Sequence, residues 1–329
     1  MKKQDEVIKK QLRDLQREYK FLLKENEGLR KSIMNAQGIQ SNRNIHSIPV
    51  IKSTSKGSVT PIILASDWHV EEEVKKTSVN NLNAYNLKIA EKRATEFFQN
   101  AVKLVEKERY SSTVDTIVLG LLGDFISGNI HDVLLPICKL QPMDAILFVQ
   151  ELLVSGIEFL EKETQCKVII PATVGNHSRI TPKVWIATEN GYSLEYLMYN
   201  SIKHYFKNNS NVDFYISQGQ HQYLKIYGKT LRFQHGTHFK YNGGIGGFTV
   251  SVNRSLMRTQ KFIPAFYDFF GHLHFMEHKM GQFLANGSLI GYNTYALAHA
   301  FDYQKPTQAF GLLDEKRGFT GVFPILFSV

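Results

Sequence analysis

The chain has 329 residues, 43% of them apolar, with a formal charge of +9 and a pI near 9.3. That length buries a full core and fits one large domain plus an appendage. No apolar run reaches the roughly 18 residues of a membrane span, and the charged N-terminus is unlike a signal peptide, so no membrane association is expected. Cys138 and Cys166 are too far apart for a C-x-x-C pair and read as buried thiols of a protein in a reducing cytoplasm. The basic excess points to a polyanionic partner such as nucleic acid, although it would also simply keep a protein soluble.

Ile8, Leu12, Leu15, Tyr19, Leu22, Asn26, Leu29 and Ile33 alternate spacings of four and three. With Lys, Arg, Glu and Asp at most other positions, this heptad pattern predicts a coiled-coil oligomerisation helix over 1–36. Asn26 shares the register of Leu12, Tyr19 and Ile33, where a polar residue fixes register and favours a parallel pair. A homodimer through this helix is expected; the alternative is one amphipathic helix lying on its own domain. Residues 37–59 are polar and read as a linker into a main domain over 60–329. Inside that linker, Pro49 restricts the stretch from Ile45 to Ile51 to a sheet edge at best, and His46 is expected to be exposed and uninvolved.

From Thr60 short apolar strands alternate with helical patterns. Pro61 to Ala65 is a continuous apolar run that stops at Ser66-Asp67-Trp68-His69. A helix over 84–107 follows, then the run Thr116 to Leu122, which ends at Gly123-Asp124. A second helix covers 144–163, and Lys167 to Ala172 leads into Gly175-Asn176-His177. A helix over 191–207 precedes three further strands, 212–217, 223–226 and 230–234. The last forty or so residues carry Gly287, Gly291, Gly311, Gly318 and Gly321 between apolar stretches and read as closing strands and turns. Continuous apolar strands joined by helices indicate buried strands covered by helices. In such sheets sites form at the strand ends.

Metal-ligand residue types stand after these strands in five places: Asp67-x-His69, Gly123-Asp124, Gly175-Asn176-His177, His235-Gly236 and Gly271-His272-x-His274. Taken singly each is weak evidence. In the last, strand alternation would point His272 and His274 to one side. Trp68, between two candidate ligands, is expected to face away from them and pack.

In order and placement the five clusters resemble the calcineurin-like metallophosphoesterase superfamily, over about residues 60–300. The resemblance implies an α/β fold, a four-layer metallophosphoesterase sandwich with two mixed sheets flanked by helices, here with the N-terminal coiled-coil helix added. It implies two divalent ions, with manganese expected and iron, zinc or cobalt as alternatives. Asp67, His69, Asp124 and His274 would hold the first ion; Asp124 would bridge to the second, with Asn176, His235 and His272 completing it. His177 matches the family histidine that contacts the phosphate and helps the leaving group depart. Two ions about 3.5–4 Å apart stabilise both the attacking and leaving oxygens of an in-line displacement, and a metal-bound hydroxide makes a Ser or Cys nucleophile unnecessary.

The implied activity is phosphodiester hydrolysis, with a DNA nuclease of phage or bacterial DNA metabolism as the leading reading, working in the host cytoplasm if phage-encoded. A phosphomonoesterase or cyclic-nucleotide phosphodiesterase is one alternative; a non-catalytic coiled-coil adaptor is another. Departures from relatives narrow the substrate. Phosphoprotein phosphatases have an acid after the Gly-Asn-His and an Asp-Arg pair after the Gly-Asp, where this chain has Ser178-Arg179 and Phe125-Ile126-Ser127. Nucleases of the SbcD type have a histidine soon after the Gly-Asp, where Ser127 stands. The layout looks most like phage-encoded phosphoesterases. What orients His177 without a neighbouring acid is left open by the sequence.

Among the remaining histidines, His131, His204, His221, His278 and His299 have no matching partner spacing and read as structural, whereas His238 is placed to touch substrate. The glycine-rich stretch Tyr241 to Gly247 reads either as a backbone approach to phosphate or as a tight crossing, with Arg254 and Arg258 on the helix after it.

Overall fold

The computed structural model describes residues 2–41, 56–185, 189–239 and 247–328. It divides into two units, Met1–Thr54 and Ser55–Val329. The described residues of the first form one uninterrupted helix, α1 (Lys2–Ser41), which runs past the expected end at 36 with no proline to stop it. Its seven apolar heptad side chains, from Ile8 to Ile33, are each 54–65% exposed in the single chain. Most of the predicted linker, including His46 and the stretch from Ile45 to Ile51, lies outside the described residues. Among those residues, no helix is long and apolar enough to cross a membrane.

The second unit opens with β1 (Gly57–Ala65), α2 (Leu87–Arg109), β2 (Ser112–Thr113) and β3 (Thr116–Leu121). Next come α3 (Pro142–Thr164), β4 (Lys167–Ala172), α4 (Leu194–Tyr205) and β5 (Val212–Ile216). Then follow β6 (Gln222–Ile226), β7 (Lys229–Gln234), α5 (Gly247–Thr259), β8 (Tyr267–Phe270), β9 (Glu277–Lys279) and β10 (Phe283–Ala285). The chain closes with α6 (Thr294–Ala298), β11 (Thr307–Asp314) and β12 (Gly318–Leu326). The short α6, capped by the Asn293 side chain, is an element the sequence pattern did not reveal. Elsewhere local chemistry agrees with the reading: Asn86 caps α2 by accepting the Ile89 N–H at 3.0 Å, and α3 starts with Pro142 in its first turn.

One sheet has the order β12-β11-β1-β3-β4-β5, with β2 on the flank of β1. Its β1, β3, β4 and β5 run parallel, and β11 and β12 are antiparallel additions. The other sheet has the order β6-β7-β8-β10-β9, with β7, β8 and β10 parallel. Alternation along β1 shows how the layers stack. Ile62 and Leu64 pack with Leu231, Phe233 and Phe269 of the other sheet, while Ile63 and Ala65 pack with Phe97, Leu153 and their neighbours on the helices. On the far side of the second sheet, Phe270 and Phe283 meet Val252 and Leu256 of α5. The layers are therefore helix, sheet, sheet, helix, the four-layer α/β sandwich expected. A buried Arg232–Asp268 ion pair (Nε–Oδ1 2.5 Å) joins β7 to β8 across their register, so neither charge is left unpaired in the core.

Candidate metal centre

Each candidate ligand follows the C-terminal end of a strand. Asp67 and His69 leave β1, Asp124 leaves β3, Asn176 and His177 leave β4, His235 leaves β7, and His272 and His274 leave β8. Because β1, β3 and β4 are parallel neighbours and β7 and β8 are too, the loops of both sheets open toward one place. Backbone bonds lock them together: Asp67 N–H donates to Gly123 O at 3.0 Å, and Gly271 N–H to His235 O at 2.9 Å.

The local backbone is unusual. Asp67 (φ 56°), His69 (46°), Asp124 (54°), His272 (70°) and His274 (59°) are all in the left-handed region that non-glycine residues seldom enter. This corrects the expectation for the final cluster. His272 and His274 do not sit on a strand and do not converge by alternation; β8 ends at Phe270, and the chain bends after it. The bend sends them to opposite ends of the site. His272 Nδ1 lies 3.2 Å from His235 Nε2, whereas His274 Nε2 lies 3.2 Å from His69 Nε2.

Two groups of donor atoms result. Asp67, His69 and His274 bring one ligand atom each within 4.8 Å of one another, and so do Asp124, His235 and His272. Asn176 Oδ1 joins the second group, 3.2 Å from His235 Nε2. Asp124 also comes within the same reach of His69 and His177, which places its carboxylate between the two groups. Every sequence-predicted site residue is thus brought to one centre.

No protein-family model and no curated protein matches the chain. Solved structures do. One is an archaeal phosphodiesterase, at 13% identity and TM-score 0.36, covering 80% of this chain and 99% of that one. Another is a predicted phosphoesterase from Streptococcus pneumoniae TIGR4, at 14% identity and TM-score 0.30, covering 81% and 98%. A third is Vps29 from Entamoeba histolytica complexed with zinc, at 10% identity and TM-score 0.33, covering 80% and 99%. What decides the reading is the set of side chains at the strand ends. The five clusters that carry the sequence resemblance meet at one centre.

The donor chemistry of this centre fits divalent cations. His235 Nδ1 lies 2.6 Å from the Leu122 carbonyl and must donate to it, so in the neutral ring Nε2 carries a lone pair. That nitrogen lies 2.9 Å from Asp124 Oδ2, 3.2 Å from Asn176 Oδ1 and 3.2 Å from His272 Nδ1. Two oxygens converging on that nitrogen in a buried site call for a positive charge, which a protonated His235 supplies here and a bound cation would supply in its place. Burial works against a charged imidazole there, yet Asp124 pushes His235 up to about 10. Burial, aided by His235, holds His272 down to about 3, and burial holds His274 down to about 4. Burial also raises Asp67 to about 7, whereas Asp124, despite its burial, is held well below its ordinary value by His235 and His177. Nitrogen and oxygen donors without thiolate suit manganese, iron, zinc or cobalt.

Sequence reasoning missed the residues around these donors. Ser127 Oγ lies 2.8 Å from His69 Nδ1 and donates to Glu72 Oε1 at 2.5 Å, while its carbonyl accepts His177 Nδ1–H at 3.0 Å. A serine carbonyl therefore orients His177, where a neighbouring acid would have been the obvious choice. Glu195 from α4 accepts the N–H groups of Phe125 at 2.8 Å and Gly175 at 2.7 Å, tying two ligand loops to one carboxylate. The His131 ring centroid is 5.4 Å from that of His177, so this histidine, read as structural, faces the site. Separations of 20 to 70 residues leave no sequence signal for these contacts. Trp68 packs as expected, edge-on to Phe125 at 4.9 Å, and His278 takes a structural role beside the Tyr267 hydroxyl at 2.6 Å. Most of the glycine-rich stretch from Tyr241 lies outside the described residues.

Proposed function

We propose that the chain is a dinuclear-metal phosphodiesterase that cleaves nucleic acid, with DNA as substrate, in phage or bacterial DNA metabolism. The observation that carries this reading is the pair of donor groups meeting at Asp124 with His177 beside them. In this reading Asp67, His69, Asp124 and His274 hold one cation, and Asp124, Asn176, His235 and His272 hold the other; manganese is the expected ion. Bound divalent cations supply Lewis-acid stabilisation of the phosphoryl oxygens and activation of water.

The chain's own residues do the rest. Asp124 places one negative charge between two positive ions and so offsets their repulsion. His177, with Nδ1–H committed to the Ser127 carbonyl, presents Nε2 as the atom that takes up a proton and passes it to a phosphoryl oxygen or a departing alkoxide. The formal charge of +9 supports a polyanionic substrate, since phosphate contacts dominate nucleic-acid affinity. The exposed heptad stripe of α1 supports a parallel homodimer that presents two such centres to one polymer. Two free cysteines, Cys138 and Cys166, support a cytoplasmic setting.

The test is hydrolysis by purified protein with Mn²⁺ of plasmid, single-stranded DNA, a cyclic nucleotide and p-nitrophenyl mono- and diesters, beside a His177→Asn control. DNA cleavage that the control lacks supports the proposal. Turnover of the monoester alone, or of the cyclic nucleotide alone, overturns the nuclease reading. Absence of both turnover and metal uptake would leave a coiled-coil adaptor.

A further inference from the structure

Ser127 is fully buried on the loop that follows β3, three residues beyond Asp124. Glu72, 2% exposed, accepts at both oxygens: Oε1 takes the Ser127 hydroxyl at 2.5 Å and Oε2 takes Asn293 Nδ2–H at 3.1 Å. A hydroxyl has one proton to donate. With that proton directed to Glu72, Ser127 Oγ can only accept from His69 Nδ1, 2.8 Å away. His69 Nδ1 must then carry the hydrogen, which leaves its Nε2 lone pair facing His274 and the centre. The same residue acts a second time through its backbone, where its carbonyl accepts His177 Nδ1–H. Its position is itself fixed, because the adjacent Glu71 accepts the Ser127 N–H at 2.7 Å and the Gly128 N–H at 2.8 Å.

We propose that Ser127, aligned by Glu72, is a positioning residue that sets the ring tautomer of two histidines at once: His69 through its hydroxyl and His177 through its carbonyl. Its effect on turnover rests on the metallophosphoesterase reading, but its effect on His69 does not. Replacing the hydroxyl frees His69 to place its hydrogen on Nε2 and so withdraws a donor atom from the cation. The carbonyl survives any substitution at Ser127, so His177 keeps its orientation in the variants.

The experiment compares wild type, Ser127→Ala, Ser127→Thr and Glu72→Gln. Imidazole ¹⁵N NMR reads the His69 tautomer in the metal-free and zinc-loaded chains, with assignment by signal loss in His69→Gln. Chelator competition reads zinc affinity. Wild type and Ser127→Thr should show His69 protonated at Nδ1. Ser127→Ala should lose that preference and bind one zinc equivalent about 10–100-fold more weakly, the usual cost of losing a ligand's hydrogen-bond partner. Glu72→Gln keeps volume but can donate to Ser127 Oγ, so it should reproduce the alanine result; it decides the matter if the alanine variant fails to fold. With Mn²⁺ and substrate, Ser127→Ala should lower kcat with KM within about threefold of wild type, as expected when only transition-state interactions are lost.

An unchanged His69 tautomer in Ser127→Ala or Glu72→Gln overturns the proposal, as does unchanged zinc affinity. A wild type that takes up no zinc would defeat the proposed function, whereas the metal-free His69 tautomer would still decide this inference.

Discussion

Asp124 Oδ1 accepts the backbone N–H of His177 at 2.8 Å. Its Oδ2 meets His235 Nε2 at 2.9 Å, so one carboxylate ties the loop bearing the proposed acid to the shared donor position. Asp124→Asn keeps an acceptor for the His177 N–H but removes the charge. Outer partners of metal ligands already cost about 10–100-fold, so losing this charge should lower kcat/KM by at least about 100-fold. Metal affinity should fall in parallel. Steady-state kinetics and metal titration would check this, and a variant within tenfold of wild type would contradict it.

Two glycines allow the β3 and β4 loops to touch. A Cβ on Gly175 would stand 2.1 Å from Asp124 Oδ1, and one on Gly123 (φ 86°) would stand 2.1 Å from the Gly175 nitrogen. Gly175→Ala should therefore destabilise by about 3 kcal/mol, the upper range for overpacking. Gly219→Ala, with nothing within 4 Å of its Cβ, serves as the neutral control. Urea unfolding of both variants separates a site-specific collision from a generic glycine effect.

Glu195 offers one oxygen to each of two backbone donors, Phe125 N–H and Gly175 N–H. Glutamine has one acceptor oxygen, so Glu195→Gln turns an NH₂ group against one of those donors and strands it. The expected loss is about 1–3 kcal/mol, the cost of a buried unsatisfied group. Thermal unfolding measures it, and a neutral result would show that the loops are held by other means.

His221 provides a pH signature that depends on burial. Burial, with Arg232 close by, holds its imidazole down to about 4, while Nε2 faces Gln234 Oε1 at 3.2 Å. In the unfolded chain the ring protonates near its ordinary value of about 6.5. Between those values the unfolded state binds more protons, so stability falls as pH drops from about 6.5 toward 4. His221→Gln should lose less stability than wild type between pH 7 and pH 5. Parallel slopes in metal-loaded samples would refute the assignment.

The α1 stripe yields a prediction about mass. In the proposed dimer the wild type elutes at twice the chain mass of 37.7 kDa, and Leu15→Glu with Leu22→Glu elutes as the single chain. Light scattering on both proteins gives the answer directly, and a monomeric wild type would remove the coiled coil.

Much of the centre was legible because metal-ligand types stood immediately after apolar strands: Asp67 and His69 after β1, Asp124 after β3 and His235 after β7. Strand-end placement depends on short-range pattern, which a sequence displays. The left-handed backbone at His272 and His274 does not, since it is imposed by tertiary context on residues that would ordinarily avoid it. Alternation was therefore the wrong reason for placing both at the site. The Ser127–Glu72 bond was invisible for a different reason: it joins positions 55 apart, and Ser127 stood out only as a departure from related nucleases. His131 illustrates the limit of spacing arguments, because it meets His177 through loop geometry alone.

Asp67, His69, Asp124 and Asn176 follow strands of one sheet, whereas His235, His272 and His274 follow strands of the other. A cation held by both would rivet the two layers and resist their sliding past each other. Because β1 pairs with β11, its sheet is complete only once Thr307–Asp314 has been made, after every strand of the other sheet. Ion capture would then come at the end of assembly, and an ion-loaded molecule would be one whose two sheets had already docked.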